Sequence, residues 1–271
     1  MRKFTVHGCS DTGLVRTINE DHILVGRFIK NRGGLGLVFA EDDDFTAAYG
    51  MLFAVADGIG GENAGEIASK LALQVLERHF YSFEKVATDS RAFEKAIEAS
   101  AKRVNETILQ MTATRPELKG MGCTLVGIGL SPQGYYVFNA GDSRVYRLRA
   151  SYLRQLTEDD SLVGMTVRMG RMTEDEAAVS EQRHTITNSL GSTNFTLAVQ
   201  PVCSWQDDDR ILICSDGLHD LVPLELIEKT INAAISPEEA VNTLVALAKE
   251  NGGHDNISVI LVHCSNNNLP V

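Results

Sequence analysis

The segment Met51-Leu-Phe-Ala-Val-Ala-Asp57-Gly-Ile-Gly-Gly61 joins an uninterrupted apolar run to an aspartate and a group of glycines. A continuous apolar run of this length is typical of a buried strand. Two later apolar runs, at 135–140 and 211–215, end in the same way, on Asp142 and Asp216. Each pattern predicts a strand that delivers a carboxylate at its end. The glycine beside each aspartate lets the backbone approach a small ligand closely.

Two further acidic signatures complete the set: Asn19-Glu20-Asp21 and Asp255-Asn256. Carboxylates that converge from separate strand ends repel one another unless a cation lies among them. Oxygen donors without clustered histidine or cysteine favour a hard ion such as Mg²⁺ or Mn²⁺. The sequence therefore predicts a hydrolytic centre that holds more than one metal ion.

Composition narrows the class of protein. The chain has 271 residues, 44% of them hydrophobic, and a formal net charge of −11. This acidic balance disfavours nucleic-acid binding, which needs a basic surface. No apolar run is long enough for a membrane span, the N-terminus lacks the apolar stretch of a secretory signal, and five irregularly spaced cysteines give no disulfide framework. A cytoplasmic protein is expected.

The chain shows no low-complexity linker and no internal repeat, so residues 1–271 are predicted to form one domain. Strands are expected at 3–9 and at 22–28, on either side of a polar turn. Residues 31–50 contain several glycines and an acidic run, and they are interpreted as a hairpin or a loop insertion.

Helical periodicity follows the Asp57 segment. Apolar residues at three- and four-residue spacing predict one helix at 64–80 and a second at 93–111. A third helix is expected after Ser236, its N-cap, and before the Gly252-Gly253 pair. Residues 158–190 lack a sustained apolar period and are predicted to form a surface flap. With strands between these elements, the pattern favours an α+β fold with a largely antiparallel sheet.

Arg16 lies five residues before Asp21 in the first polar segment. If this segment runs extended into a strand, Arg16 can lie near the same centre as Glu20 and Asp21. A guanidinium donates two parallel hydrogen bonds to phosphate oxygens. Two metal ions about 4 Å apart stabilise an in-line displacement at phosphorus. The combination indicates phosphoester hydrolysis.

Taken together, these motifs resemble the metal-dependent protein phosphatase 2C family. They occur in the family's order and spacing between Gly8 and Val262, and the segments Gly65-Glu-Ile-Ala-Ser69 and Thr157-Glu-Asp-x-Ser161 are similar to its bacterial branch. The resemblance implies an α+β fold whose central antiparallel β-sandwich carries helices on both outer faces, plus the flap. It also implies a serine/threonine phosphatase that uses Mn²⁺ or Mg²⁺, with two core ions and a third, weaker one.

The resemblance assigns roles to the residues of the core centre. Asp57 would bridge two metal ions, with the carbonyl of Gly58 assisting. Asp216 and Asp255 would bind the first ion.

The remaining roles follow from the same resemblance. Glu20 and Asp21 would hold the second ion, directly or through water. Asp142, together with Asp216, would form the third metal site. Arg16 would bind the phosphate of the substrate, which is then hydrolysed by attack of metal-activated water.

Some positions depart from the family's pattern. Ile59, Glu62 and Asp160 stand where many relatives have histidine. No histidine is therefore evident as the proton donor to the leaving group, and metal-bound water is the default candidate. Arg144 is interpreted as a brace for its strand, and Asn256 as a turn-capping residue.

The expected substrates are phosphorylated proteins, including those modified by a serine/threonine kinase and the kinase itself. A related branch that dephosphorylates anti-anti-sigma factors usually lacks the phosphate-binding arginine, so Arg16 disfavours it. A catalytically weak module that only binds phosphoproteins is an alternative, and it would be expected to lack one or more of Asp57, Asp216 and Asp255. Nuclease activity is disfavoured by the acidic balance.

Overall fold

A computed structural model of the chain describes residues 1–60, 64–83, 86–173, 176–177 and 180–266. The end of the Asp57 segment at Gly61, and Glu62 beside it, lie outside the described residues. The strands are β1 (Arg2–Asp11), β2 (His22–Val25), β3 (Phe28–Lys30), β4 (Gly33–Ala40), β5 (Met51–Ala56), β6 (Gly58–Ile59), β7 (Gly122–Cys123), β8 (Leu125–Ser131), β9 (Gly134–Ala140), β10 (Arg144–Arg149), β11 (Tyr152–Gln155), β12 (Ala198–Val199), β13 (Arg210–Cys214) and β14 (Ile257–Asn266).

The helices within these ranges are α1 (Asp44–Tyr49), α2 (Ala64–Phe80), α3 (Ser90–Thr114), α4 (Leu162–Arg168), α5 (Asp216–His219), α6 (Leu224–Ala233) and α7 (Pro237–Glu250). Two short 3₁₀ turns occupy Val86–Thr88 and Pro116–Leu118. In the described ranges, none of the helices combines the length and the apolar character that crossing a lipid bilayer requires.

Twelve of the strands form two six-stranded sheets in which every pairing is antiparallel. The first sheet has the order β11-β10-β13-β14-β1-β4, and the second has the order β12-β9-β8-β5-β2-β3. Strands β6 and β7 pair separately beside the second sheet. Both sheets take strands from the two halves of the chain.

The apolar run of β5 is continuous because both faces of this strand are buried. Met51, Phe53 and Val55 belong to the core between the two sheets. Leu52 and Ala54 face the other way, into the core that α2 and α3 build on the second sheet. Side chains alternate between the faces of a strand, so a strand covered on both sides needs apolar residues at every position.

Helices cover the outer face of each sheet. Helices α2 and α3 pack on the second sheet, whereas α6 and α7 pack on the first through residues such as Ile227 and Leu244. The order of layers is helix, sheet, sheet, helix. The predicted α+β fold with a central antiparallel sandwich and helices on both outer faces is therefore confirmed.

The predicted C-terminal helix is also confirmed. Ser236 is the N-cap of α7 and accepts a hydrogen bond from the backbone N–H of Glu239 at 3.2 Å. Helix α7 ends at Glu250, and Gly252 and Gly253 follow with φ values of 118° and 52°. Only glycine adopts such conformations without strain, which is why the helix stops there.

Two local predictions in the N-terminal third are wrong. The single strand expected at 22–28 is two strands, because Gly26 turns the chain with a φ of 65°. Residues 31–50 are neither a hairpin nor an insertion, since β4 pairs with β1 along its whole length, β3 belongs to the other sheet and α1 follows β4. The alternation of β4 was missed because its outward positions include Gly34 and Gly36, which carry no side chain to mark a polar face.

A buried ion pair joins β10 to β13 at the end of the first sheet. The carboxylate of Asp209 is inaccessible to solvent and accepts hydrogen bonds from Arg149 Nε at 2.7 Å and Arg149 Nη2 at 2.6 Å. The backbone N–H of Gln206 donates to it at 2.7 Å. Three donors thus converge on one buried charge.

We expect Asp209→Asn to lower the free energy of unfolding by about 1.5–3 kcal/mol, because the neutral amide loses the charge-assisted hydrogen bonds that the inaccessible carboxylate accepts from Arg149. Urea denaturation measures this change. Asp208→Asn is the matched control, since the Asp208 side chain is 70% exposed and its ion pairs should contribute less than about 1 kcal/mol. Equal small effects from both variants would contradict a stabilising role for the buried pair.

Candidate metal centre

The register of the two sheets brings the acidic motifs to one end of the sandwich. In the second sheet, Ala140 at the end of β9 pairs with Leu125, and Ala56 at the end of β5 pairs with His22. In the first sheet, Cys214 at the end of β13 pairs with Val259, near the start of β14. The residues that follow or precede these ends are Asp21, Asp57, Asp142, Asp216 and Asp255.

Asp57 lies at the centre of this cluster and is partly buried. Burial raises its pKa well above the usual value, and the charges of Asp21, Asp216, Asp142 and Asp255 raise it further. Each of these carboxylates is therefore close enough to oppose the ionisation of Asp57.

The neighbours of Asp57 show the same effect. Burial raises the pKa of Asp21 and that of Asp142 to about 7 each, and the charge of Asp216 adds to both shifts. The pKa of Asp216 is also raised, mainly by burial. Raised pKa values for this many neighbouring carboxyl groups indicate that too little positive charge lies nearby to offset their repulsion.

A divalent cation fits this cluster. All the clustered donors are oxygens, as Mg²⁺ and Mn²⁺ prefer. Within the described residues, the buried Oδ1 atom of Asp142 has no hydrogen-bond partner, and the charges of Asp216 and Asp159 act on the same carboxyl group. A bound cation would offset both the mutual repulsion and the unpaired oxygen.

Gly58 is required by close packing. A Cβ atom at this position would lie 2.3 Å from the carbonyl oxygen of Gly65 and 2.7 Å from that of Glu20. Gly65 is constrained less tightly, since its Cβ would lie 2.9 Å from the backbone carbonyl carbon of Gly58 and 2.5 Å from the Glu20 carboxylate. The start of α2 therefore packs directly on the Asp57-Gly58 corner, with the Glu20 side chain against it.

Asn256 does more than cap a turn. Its side-chain oxygen accepts a hydrogen bond from the backbone N–H of Glu20 at 2.8 Å. Its amide nitrogen donates to the carbonyl oxygens of Thr12 and Ile18, each at 3.0 Å. One side chain next to Asp255 thus fixes the whole loop that carries Arg16 and Glu20.

Arg16 lies at the accessible rim of the cluster. Its Nη2 atom is 2.8 Å from Oδ2 of Asp255, and the two side chains are 51% and 40% exposed. The hydrogen bond to Asp255 is the main cause that raises the pKa of Arg16, and the charges of Glu20 and Asp57 contribute. The structure therefore places the arginine beside the carboxylates, as the sequence predicted, with its cationic group open to solvent.

A buried hydroxyl network supports Asp21. Ser215 donates to Oδ2 of Asp21 at 2.7 Å and accepts from the backbone N–H of Ser258 at 3.0 Å. The hydroxyl of Ser258 is 2.8 Å from the hydroxyl of Ser10. The side-chain amide of Asn19 donates a hydrogen bond to the Ser10 hydroxyl at 2.8 Å. This network links the ends of β2, β13 and β14 that lie next to Asp21, Asp216 and Asp255.

Sequence reasoning missed three residues that the structure adds to this end of the sandwich. His219 Nε2 is 3.2 Å from the carbonyl oxygen of Asp142, and its Nδ1 is 3.1 Å from Asp220. His184 Nδ1 is 3.6 Å from Asp220 and 4.0 Å from Asp216. A helical turn starting at Asp216 would have indicated His219 and Asp220, whereas nothing in the sequence connects His184 to this site.

Two acidic residues attach residues 158–190 to the loop that carries Asp142. Asp159 accepts a hydrogen bond from Arg144 at 2.6 Å, so this arginine braces its strand as expected. Oδ2 of Asp160 accepts from the backbone N–H of Gly141 at 3.1 Å and from Asn188 at 2.7 Å. Asp160 therefore ties both ends of this segment to Gly141.

Comparison with known proteins identifies this arrangement. A family model described as protein phosphatase 2C matches residues 40–250. The chain belongs to the protein phosphatase 2C family. The family indicated by the sequence motifs is thus confirmed. The serine/threonine phosphatase stp of Listeria monocytogenes is similar to this chain, with 31% identity over 253 residues, which are 93% of this chain and 93% of the relative.

Solved structures of protein phosphatase 2C relatives share the fold. The crystal structure of the Mycobacterium tuberculosis serine/threonine phosphatase PstP/Ppp has a TM-score of 0.78 and 30% identity, covering 97% of this chain and 100% of that one. The catalytic domain of PstP in complex with two manganese ions has a TM-score of 0.77 and 30% identity, covering 98% of this chain and 100% of that one.

We expect Ser215→Ala to weaken Mn²⁺ binding by about 10- to 100-fold, the usual cost of losing a partner that orients a metal-binding carboxylate. Isothermal titration calorimetry measures the dissociation constant directly. Ser100→Ala is the matched control, because Ser100 is equally buried but bonds within α3 and to His79. Equal Mn²⁺ affinities for the two variants would show that the hydroxyl network does not position Asp21.

The raised pKa values predict how the metal-free protein responds to pH. Asp21 and Asp142 have folded-state pKa values of about 7, above the ordinary 3.8, so the folded state retains protons that the unfolded state has lost. In chelator, the free energy of unfolding should therefore fall as the pH rises from about 4 to about 7. Each retained proton contributes a slope of about 1.4 kcal/mol per pH unit.

Urea denaturation at several pH values checks this expectation. Asp57→Asn should give a shallower fall, because one of the mutually repelling charges is gone. Saturating Mn²⁺ should remove most of the fall in the unsubstituted protein. A stability that is flat or rises between pH 5 and pH 7 in chelator would contradict the crowding of charge at this centre.

Proposed function

We propose that this protein phosphatase 2C family member hydrolyses phosphoserine and phosphothreonine in phosphorylated proteins, with Mn²⁺ or Mg²⁺ as cofactor. The observation that carries the proposal is the convergence of four acidic motifs on Asp57 at one end of the sandwich. Their order along the chain is that of the family, and Arg16 offers a solvent-accessible cation at the edge of the cluster.

The positions of the carboxylates in the cluster suggest which of them bind each metal ion. Asp57, which interacts with all the other clustered aspartates, is proposed to contact two ions, assisted by the Gly58 carbonyl. Asp216 and Asp255 are assigned to the first ion. The partial burial of Asp57 and Asp216 and the mutual repulsion of the three carboxylates support the assignment.

Glu20 and Asp21 are assigned to the second ion, directly or through water. Burial raises the pKa of Glu20, whereas Arg16 and the backbone N–H of Gly65 lower it. Asp142 is assigned to a third ion with Asp216, because its buried Oδ1 has no hydrogen-bond partner among the described residues. When bound, the ions supply Lewis-acid polarisation of the phosphoryl group and lower the pKa of water.

Arg16 is proposed to bind and orient the substrate phosphate. Its Nη2 atom donates a hydrogen bond to Asp255. The guanidinium has further N–H groups in a planar fork, and these match the spacing of phosphate oxygens. Its loop is fixed by Asn256, so the arginine is held at the rim before the substrate arrives. Such preorganisation lowers the entropic cost of binding a phosphoryl group in one orientation.

Residues 158–190 are proposed to act as a flap over the substrate. A cavity of about 640 Å³ lies between α4 of this segment and helices α5 and α6. Its lining includes Asp142 and Asp216, together with apolar residues such as Val163 and Ile227. The cavity therefore connects the proposed third metal site with a partly apolar surface.

A serine/threonine kinase is proposed as the source of the phosphoproteins and as a substrate itself, since phosphorylated kinases present the same phosphoester. The alternative, a module that only binds phosphoproteins, is not favoured because Asp57, Asp216 and Asp255 are all present and clustered. The cytoplasmic location expected from the sequence stays a prediction.

Phosphate release from a panel of phosphoserine and phosphothreonine peptides tests the function. We expect turnover with Mn²⁺ or Mg²⁺, none in chelator, and a loss of orders of magnitude in kcat for Asp57→Asn, which weakens the binding of two ions. Full turnover in metal-free buffer would contradict the metal mechanism. Phosphopeptide binding without release of phosphate in Mn²⁺ would instead support the binding module.

Arg16→Ala should raise KM for phosphopeptides more than it lowers kcat, if the arginine contacts the phosphate similarly in the ground and transition states. A lost charge-assisted contact costs about 1.5–3 kcal/mol. Arg16→Lys should be intermediate, because it keeps the charge and loses the planar fork. Steady-state kinetics that show unchanged KM and unchanged kcat for Arg16→Ala would remove Arg16 from the site.

A further inference from the structure

Three large apolar side chains stand in solvent on both sides of Arg16. Leu14 is 62% exposed, Val15 is 64% exposed and Ile18 is 40% exposed. Single exposed apolar residues are common on protein surfaces. Three of them within five positions, around the arginine at the edge of the metal centre, form a local apolar surface that we call the Leu14–Ile18 rim.

The backbone of this rim is held in place. The N–H of Leu14 donates to the carbonyl oxygen of Gly253 at 2.8 Å, and Asn256 binds the carbonyl oxygens of Thr12 and Ile18. Gly13 has a φ of 77°, and a Cβ there would lie 2.2 Å from the backbone oxygen of Asp255. The loop therefore presents its apolar side chains outward in a fixed arrangement beside the carboxylates.

The location of the Leu14–Ile18 rim indicates which kind of binding partner contacts it. Three side chains offer far less area than a stable dimer interface, which buries roughly 800 Å² on each partner. The rim is continuous with Arg16, the proposed phosphate holder. An extended substrate chain advances about 3.3–3.6 Å per residue, so the residues next to a phosphoresidue held at Arg16 are within reach of the side chains that adjoin Arg16 in the loop.

We propose that the Leu14–Ile18 rim binds apolar side chains that flank the phosphoresidue of a protein substrate. The inference rests on the proposed function and adds a substrate class to it: phosphoserine or phosphothreonine with apolar neighbours. Apolar contact removes both surfaces from water, which favours such substrates over those with glycine or serine at the same positions.

A matched pair of phosphopeptides tests whether the rim binds flanking apolar side chains. One carries leucine or valine on both sides of the phosphothreonine, and the other carries glycine at those positions. The unsubstituted enzyme should hydrolyse the apolar peptide with the higher kcat/KM. In Val15→Ser and Leu14→Ser, the ratio of kcat/KM between the two peptides should fall by about three- to tenfold, mainly through KM.

Val38→Ser is the control variant, because Val38 is 56% exposed and lies on β4, away from Arg16 in the sequence. It should leave the peptide ratio unchanged. Hydrolysis of p-nitrophenyl phosphate, which has no flanking residues, reports the metal centre in every variant.

Several results would contradict the proposed role of the Leu14–Ile18 rim. A peptide ratio near one in the unsubstituted enzyme would do so, as would equal losses on both peptides and on p-nitrophenyl phosphate. Sedimentation velocity addresses a second copy as the occupant: a change of oligomeric state in Val15→Ser with an unaltered peptide ratio would also reject the proposal. No hydrolysis of any phosphoester by the Mn²⁺-loaded enzyme would instead reject the proposed function.

Discussion

Repulsion among crowded carboxylates is the constraint on which this structure depends. The charges of Asp21, Asp142, Asp216 and Asp255 all act on Asp57, and burial raises the pKa of Asp57 before any neighbour is considered. Such a cluster does not stabilise the fold by itself, since each charge opposes the ionisation of the others. The two sheets, their register and the helix at Gly65 together hold charges that a bound cation balances.

The surroundings of the cluster keep it in place without neutralising it. Ser215 binds Asp21 through a neutral hydroxyl group, which orients the carboxylate while leaving its charge, and the backbone N–H of Ser258 holds this hydroxyl in turn. Asn256 fixes the loop of Arg16 in the same neutral way. Arg16 itself is half exposed, so its guanidinium shares its charge between Asp255 and solvent.

Much of the site was predictable because strand ends and acidic residues coincide in the sequence. Asp57, Asp142 and Asp216 could be located before any coordinates, since an apolar run that ends near an aspartate places a carboxylate at the end of a buried strand. The roles expected of the other acidic motifs and of Arg16 came from the resemblance to the family. His184 and Asp160 could not be located in this way, because their partners lie far along the chain and no periodicity marks them. Strand β4 was missed for a different reason: its glycines hide the alternation that accompanies its pairing with β1.

The sequence alone determined the buried strand before Asp57, the helices at 64–80 and 93–111, the capped C-terminal helix, the oxygen-only donor set and the family, because these depend on local pattern and residue chemistry. The tertiary structure decided which end of the sandwich collects the carboxylates, that Asn256 organises a loop distant in sequence, and that Leu14 and Val15 stay in solvent beside Arg16. These features depend on antiparallel register and on contacts between distant residues, and neither is encoded in the spacing of any single segment.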